Sequence, residues 1–416
     1  MARLRFNGGM TTPIHSSAIP LPCDARAGRA AGAVCLAMLA ALAVAMGVGR
    51  FAFTPLFPLM VRDGLLDART GALLAGANYL GYLLGALAAA RVPLRPAALL
   101  ALGLLGTVLI TAAVGWTASL PLWVLLRFLA GVMSAWSLVA VSSWGLGWLA
   151  ALGRANLAGL AFTGVGLGIA GAGLFCLVAG AHGMPAHAMW VDLAGLALLA
   201  ALVPLAVSRR LPAPPGLPAP AHVSSPAAVY DAPAGTAGLI VCYTLFGFGY
   251  ILPATYLPAL ARQLADDPQV FGLAWPLFGS AAAVSTVLAA WRLGRANRLA
   301  VWSAGHLVMA LGVLLPAVWT SLAGVTATAL LVGGTFMVIT LVGMQEVRAR
   351  AEGQATQALG RMTAGFAFGQ LVGPLVNAAI AHAGLHDAAA LRLALGLAAA
   401  ALVGSGLYLW RAARDA

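Results

Sequence analysis

Residues 47–60 read GVGRFAFTPLFPLM, and two hundred positions later residues 247–258 read GFGYILPATYLP. Each lies inside a long apolar run, 31–60 for the first and 236–261 for the second. A helix rises about 1.5 Å per residue, so about 20 apolar residues cross a hydrocarbon core about 30 Å thick. Both runs meet that length, and the first carries one charge, Arg50, in its interior.

The composition extends this reading to the whole chain. Of 416 residues, 62% are hydrophobic and 8% charged, and the mean hydropathy is +0.95. A soluble domain carries about 25% charged residues to wet its surface. The 34 formal charges here (23 basic, 11 acidic) are too few for that, so the solvent for most of the chain is lipid. Cutting at Arg, Pro and polar clusters leaves twelve runs near 31–60, 68–90, 96–115, 121–149, 155–180, 187–208, 236–261, 269–291, 299–318, 322–345, 360–381 and 389–411. Each is read as a membrane-spanning helix.

A net charge of +12 would suggest nucleic acid in a soluble protein. Here every basic side chain is Arg, and the positions follow a topological pattern. With a cytoplasmic N-terminus, 17 arginines fall in inner segments and four, Arg62, Arg69, Arg262 and Arg392, in outer ones; Arg50 and Arg127 lie within spans. This bias places both termini in the cytoplasm. The basic residues form no single stripe, so no nucleic-acid partner is expected. Cys23, Cys35, Cys176 and Cys242 show neither metal-like spacing nor a disulfide framework.

The first 29 residues lack a signal-peptide pattern and read as a cytoplasmic tail. Residues 209–235 are rich in Pro and Ala and read as a cytoplasmic linker. The expected organisation is a tail at 1–29, six helices at 30–208, the linker at 209–235, and six helices at 236–416. The halves echo each other. Gly47, Gly49, Pro58 and Arg62 recur as Gly247, Gly249, Pro258 and Arg262, and Arg50 corresponds to Tyr250. Ala89-Ala90 and Arg95 recur as Ala289-Ala290 and Arg295, and Ala158-Gly159-Leu-Ala161-Phe162 recurs as Ala364-Gly365-Phe-Ala367-Phe368. Parallel six-helix repeats with a midplane site between them are a transporter architecture.

On these residues the chain resembles the major facilitator superfamily from about residue 30 onward. Leu126-Arg127-Phe-Leu-Ala-Gly131 resembles its Arg-x-x-x-Gly motif. Arg91-Val-Pro-Leu-Arg95 keeps the basic residues of its second loop without the usual Asp. The run Gly47–Met60, with Ala77-Asn78-Tyr79-Leu-Gly81-Tyr82, is similar to the YbfB/YjiJ-like branch. The resemblance implies an all-α membrane protein, twelve transmembrane helices in two pseudo-symmetric six-helix bundles, with helices one, four, seven and ten lining a central cavity. It names no substrate.

Arg50 and Arg127 are the sharpest functional candidates. An Arg at mid-span costs roughly 2.5–3.5 kcal/mol on the insertion scale and rarely faces lipid. They stand about 15 Å and about 9 Å from the outer ends of their spans, so both can face one cavity. A planar guanidinium fork matches carboxylate or phosphate, and two would form an anion clamp. The alternative is that each caps backbone carbonyls. Ser134, Ser137 and Trp144, with Trp148, share the helical face of Arg127. Tyr243 and Tyr250 share a face of span seven, and Asn78 and Tyr82 one of span two; Gln370 joins Asn377 on span eleven. Gly47, Gly49, Pro55 and Pro58, with Gly247, Gly249, Pro253 and Pro258, are expected bending points. Membrane carboxylates for proton coupling are scarce: Asp192 near the outer end of span six, and Glu346 beside Arg348 and Arg350.

Gly166-Leu-Gly168-Ile-Ala-Gly171 fits a dinucleotide fingerprint but follows no strand, so close helix packing accounts for it. Drug antiporters resembling this fold carry a Gly-Pro motif there; its absence weighs against drug efflux. Two outer loops hold His182 with His187 and His382 with His386 and Asp387, ordinary loop positions unless they bind metal. No nucleophile elbow or Walker loop occurs. The expectation is therefore a secondary transporter of the bacterial inner membrane, not an enzyme, a monomer without cofactor or resident metal. It would move a small organic anion by alternating access, with protons as a second candidate partner. The alternative is efflux of lipophilic or cationic drug-like compounds by proton antiport.

Overall fold

The structure, a computed structural model, describes residues 25–89, 91–211, 235–264, 272–292, 296–351 and 354–415. Among them there are helices and no strands. Twelve helices are long and apolar enough to cross a membrane. We label them α1 to α12. Helix α1 comprises Ala25–Leu42, a π-helical stretch Ala43–Phe51, and Phe53–Arg62. The others are α2 (Ala68–Ala89), α3 (Pro96–Gly115), α4 (Leu120–Ala151), α5 (Ala158–Ala181) and α6 (Ala186–Arg210). The second half holds α7 (Ala237–Leu264), α8 (Ala274–Arg292), α9 (Arg298–Val318), α10 (Leu322–Arg350), α11 (Ala355–His382) and α12 (Asp387–Arg414).

The helices alternate in direction, so α1 begins and α12 ends on one face, here called proximal; the opposite face is distal. All twelve expected spans are present, with shifted ends. Helix α1 starts at Ala25, so Arg26 and Arg29 belong to it rather than to a tail; residues 1–24 lie outside the described residues. Helix α6 continues through Arg209 and Arg210, and residues 212–234 of the linker also lie outside the described residues. Helix α10 runs to Arg350, five residues past the expected 345, because its last turns leave the hydrocarbon and form ion pairs. Leu109, Leu199, Val284 and Leu375 are among the large apolar side chains that stay exposed. Water would not tolerate that belt; acyl chains do.

Helices α1–α6 pack together, as do α7–α12, and the halves meet mainly along α5 with α8 and α2 with α11. The glycine run at 166–171 serves two contacts: Gly166 meets α8 at the α5–α8 seam and Gly168 meets α1, while Gly171 faces open space. A Cβ on Gly166 would lie 2.7 Å from the Gly279 carbonyl oxygen and 2.9 Å from Ala283 Cα, both backbone atoms that cannot swing aside. Gly166→Leu should therefore pry the halves apart. Its expected cost is about 1–3 kcal/mol or more, with loss of transport, read by thermal unfolding of the purified variant and by uptake into vesicles.

A distal clasp ties the first hairpin to the third. Asp63 Oδ2 accepts from the Ala186 N–H at the start of α6, at 2.7 Å. Arg62 donates to Asp63 at 2.8 Å, to the Met184 carbonyl at 2.8 Å and to the Gly180 carbonyl at 3.3 Å. Partial burial pushes the Asp63 carboxyl up, but these bonds and the charges of Arg62 and His187 outweigh it and hold it below the ordinary value. A lowered carboxylate contributes stability above its unfolded value, about 3.9, and loses it as pH falls through the folded one. The stability advantage of wild type over Asp63→Asn should thus be flat from about pH 8 to about pH 5, begin to fall near about pH 4, and vanish only below the lowered folded value. Because the clasp is exposed, it should stay within about 1 kcal/mol in thermal unfolding scans.

Candidate functional site

The centre of the molecule is built on the π-helical stretch of α1. Three of its backbone carbonyls take side-chain donors from α4: Ala45 from Ser134 Oγ at 2.8 Å, and Gly49 and Arg50 from the two terminal nitrogens of Arg127 at 3.3 Å each. Polar side chains that enter a helical ladder are one of the recognised causes of its distortion. On the opposite side the stretch presses on α5, where a Cβ at Gly47 would collide with the backbone of Gly168. The expected bending point of α1 is thus a widened helix. Its repeat partners Gly247 and Gly249 lie in continuous α-helix, α7, so the repeat is broken here. Gly247 abuts the backbone of Phe366 and Gly249 the side chain of Leu402. Pro55 and Pro58 lie in the last segment of α1, and Pro253 is buried in α7; the side chain of Pro258 lies outside the described residues.

The two membrane arginines have different surroundings. Arg127 is buried, its two terminal nitrogens bound to backbone carbonyls and its guanidinium 4.7 Å from the Phe53 ring centroid. The arrangement differs from the expected paired clamp: Arg127 caps the π-helical stretch with both terminal nitrogens, and only its Nε is left without a partner. Asn78, placed with it, donates to the Arg127 carbonyl at 3.0 Å and locks α2 to α4.

Arg50 reaches across the boundary between the halves. Its Nη2 donates to Gln370 Oε1 on α11, and Gln370 Nε2 donates to the Tyr250 hydroxyl on α7. The repeat-related positions 50 and 250 are joined through one amide. The guanidinium lies 3.7 Å from the Tyr82 ring centroid, a close cation–π contact, with the Phe51 and Tyr79 rings at 5.6 and 5.7 Å. Arg50 is 3% exposed, and its Nε and Nη1 have no hydrogen-bond partner, nor has the Tyr82 hydroxyl. None of the three ion pairs among the described residues involves Arg50. A buried guanidinium with two donors that lack partners and no carboxylate at hand has the chemistry that an anion would complement.

Aromatic side chains wall this site on the C-terminal half. Tyr250 stacks between Phe336, 4.7 Å between centroids, and Phe366, 5.3 Å. Phe51 crosses the boundary beside Arg50 to meet Trp275 at 6.1 Å and Phe336 at 6.0 Å. These walls were not singled out in the sequence, although Phe366 and Gln370 stand four apart on one face of α11. Tyr243 lies one layer proximal, against Phe246, Trp302 and Phe366.

The remaining expected residues are elsewhere. The Trp144 indole donates to the Leu211 carbonyl at 2.7 Å, as Trp148 does at 3.2 Å, so both fasten the end of α6 rather than wall a cavity. Ser137 is buried against Gly103 of α3. Asn377 donates to the Tyr256 hydroxyl at 2.9 Å. Asp192 is exposed on α6, and Glu346 pairs with Arg350 at 2.7 Å and Arg298 at 3.5 Å at the proximal face. No cluster of metal-ligating side chains occurs among the described residues, and the loop histidines do not gather.

One buried titratable group escaped notice. His306 on α9 is fully buried; Trp302 Nε1 donates to its Nε2 at 2.9 Å, and its Nδ1 lies 2.8 Å from Ser405 Oγ. Because an indole only donates, Nε2 carries no proton, and Nδ1–H points to Ser405. The signal was available: it alone of the seven histidines lies well inside an apolar run.

Comparison with known proteins agrees with this architecture. The family described as "Uncharacterised MFS-type transporter YbfB" matches residues 42–409. No curated protein sequence matches. Among solved structures, the human organic anion transporter MFSD10 (TETRAN) superposes with a TM-score of 0.66 at 16% identity, covering 93% of this chain and 100% of that one; such a likeness shows the fold. With twelve helices, two six-helix halves and a family match over nearly its whole length, the chain belongs to the YbfB-type transporters of the major facilitator superfamily.

Proposed function

We propose that the protein moves a small organic anion across the bacterial inner membrane by alternating access, with Arg50 as the group that holds the anion's charge. The observation that carries this reading is the state of Arg50: buried at the boundary of the halves, two N–H donors without partners, no carboxylate bound to it. Tyr82 and Tyr250 would flank the anion's organic part and Gln370 would exchange its bond to Arg50 for one to the substrate. The glycine-bearing π-helical stretch, Gly47 and Gly49, is the proposed hinge, with Pro55, Pro58, Gly247, Gly249, Pro253 and Pro258 contributing on either side. The arginine distribution supports cytoplasmic termini, and a monomer suffices, since both halves lie in one chain.

A similar fold serves an organic anion transporter, but the weight rests on Arg50. Efflux of lipophilic cations by proton antiport finds less support: a cation would meet an unneutralised guanidinium, and neither Asp192 nor Glu346 reaches the site. The test is a thermal-shift screen of the purified protein against carboxylates, phosphates and lipophilic cations. Stabilisation by an anion and not by cations is the expected result; stabilisation by cations alone would reverse the assignment.

A further inference from the structure

The fixed charge of Arg50 has no side chain to neutralise it. Of the 11 acidic residues, only Asp192 and Glu346 lie inside the twelve spans. Asp192 is on the exposed side of α6, and Glu346 is engaged by Arg298 and Arg350 at the proximal face. His306 is the one histidine deep in a span, and both of its ring nitrogens are engaged by Trp302 and Ser405.

Alternating access requires the site to be sealed at both ends at some stage, and the burial seen here shows what sealing does to Arg50. Arg50 is 3% exposed, Asn78 1%, and Tyr82, Tyr250 and Gln370 0%. In that arrangement the guanidinium faces one neutral amide oxygen and an aromatic ring. With an anion aboard it is charge-paired; without one it crosses the sealed stage as a buried cation that lacks a counter-charge.

From this, and resting on the anion reading above, we propose that the protein is an obligate exchanger: it reorients with an organic anion bound and swaps one anion for another. A buried charge stripped of its partner is penalised heavily, enough to slow reorientation of the unloaded carrier at least about a hundredfold relative to the loaded one. A uniporter or proton symporter would need a carboxylate or imidazole able to neutralise the site on the return leg, and among the described residues of the spans none reaches it; the titratable side chains beside Arg50 are the phenols of Tyr79, Tyr82 and Tyr250, whose ordinary value of about 10 leaves them neutral at working pH.

The experiment uses the full chain in proteoliposomes. Succinate, benzoate and inorganic phosphate are first compared by thermal shift, and a stabilising one is then used radiolabelled. Uptake is measured into vesicles preloaded with the same unlabelled anion and into empty vesicles, with and without an inward proton gradient. The expected result is uptake into preloaded vesicles at least about a hundredfold faster, with the proton gradient producing no net uptake into empty ones. Equal rates into empty and preloaded vesicles, or net uptake driven by the proton gradient, would overturn obligate exchange while the thermal shift still upholds anion binding. No shift with any of the three anions would overturn the anion reading and the exchange inference together.

Discussion

In the Arg50→Gln variant, affinity for a stabilising anion should fall roughly 30- to 4000-fold, the range set by about 2–5 kcal/mol for truncating one side of a buried charged hydrogen-bonded pair. The same substitution should leave thermal stability without the anion unchanged or slightly raised. Arg50 is buried with Nε and Nη1 lacking partners, so a shorter, neutral side chain removes a desolvation penalty that offsets the lost bond to Gln370 and the lost cation–π contact with Tyr82. The pairing of the two results is diagnostic. A purely structural arginine would show the opposite, a large drop in melting temperature. Calorimetric titration of the anion and an unfolding scan on the same preparation give both numbers.

Arg127→Met should show that opposite pattern. Its two terminal nitrogens hold the Gly49 and Arg50 carbonyls, and hydrogen bonds to charged groups contribute about 1.5–3 kcal/mol each. Relief from burying the charge offsets part of this, leaving an expected loss of about 2–4 kcal/mol on denaturant unfolding. The protein that remains folded should bind the anion with unchanged affinity. Arg127→Lys should not restore stability, because an ammonium is a point charge and cannot reproduce a planar fork reaching two carbonyls. If Arg127→Met abolished anion binding while leaving stability intact, Arg127 would be a ligand after all.

The fold was legible because lipid imposes a simple rule. Backbone groups must bond internally, so apolar runs of sufficient length become helices, and the twelve runs cut at Arg and Pro match the twelve helices to within a few residues at most ends. Arg50 was legible for the same reason, as a charge where charges are costly. What composition and spacing could not give is the direction of each side chain. Arg50 and Arg127 look equivalent in depth and type, yet their partners differ: Arg50 reaches Gln370 on α11, while Arg127 binds the carbonyls of Gly49 and Arg50 in the π-helical stretch. A widened helix leaves little trace in residue type beyond the glycines it tolerates. Trp144 was misplaced by a similar step. A shared helical face with Ser134 is a true statement about α4, but α4 is long, and its proximal end meets Leu211 rather than the boundary of the halves. Gln370 and Tyr250 were each visible as polar groups in apolar runs; that one amide joins Tyr250 to Arg50 depends on the packing of α11 between α2 and α7.

If Arg50 holds the charge of the transported anion at the boundary of the two halves, the bound anion must be seen on it. This is tested most directly by a cryo-electron-microscopy structure of the protein with a stabilising anion bound. The expected result is anion density within hydrogen-bond distance of Arg50 Nε and Nη1, the two donors that have no protein partner. Anion density elsewhere, with Arg50 still held by Gln370 and its remaining donors unoccupied, would contradict it.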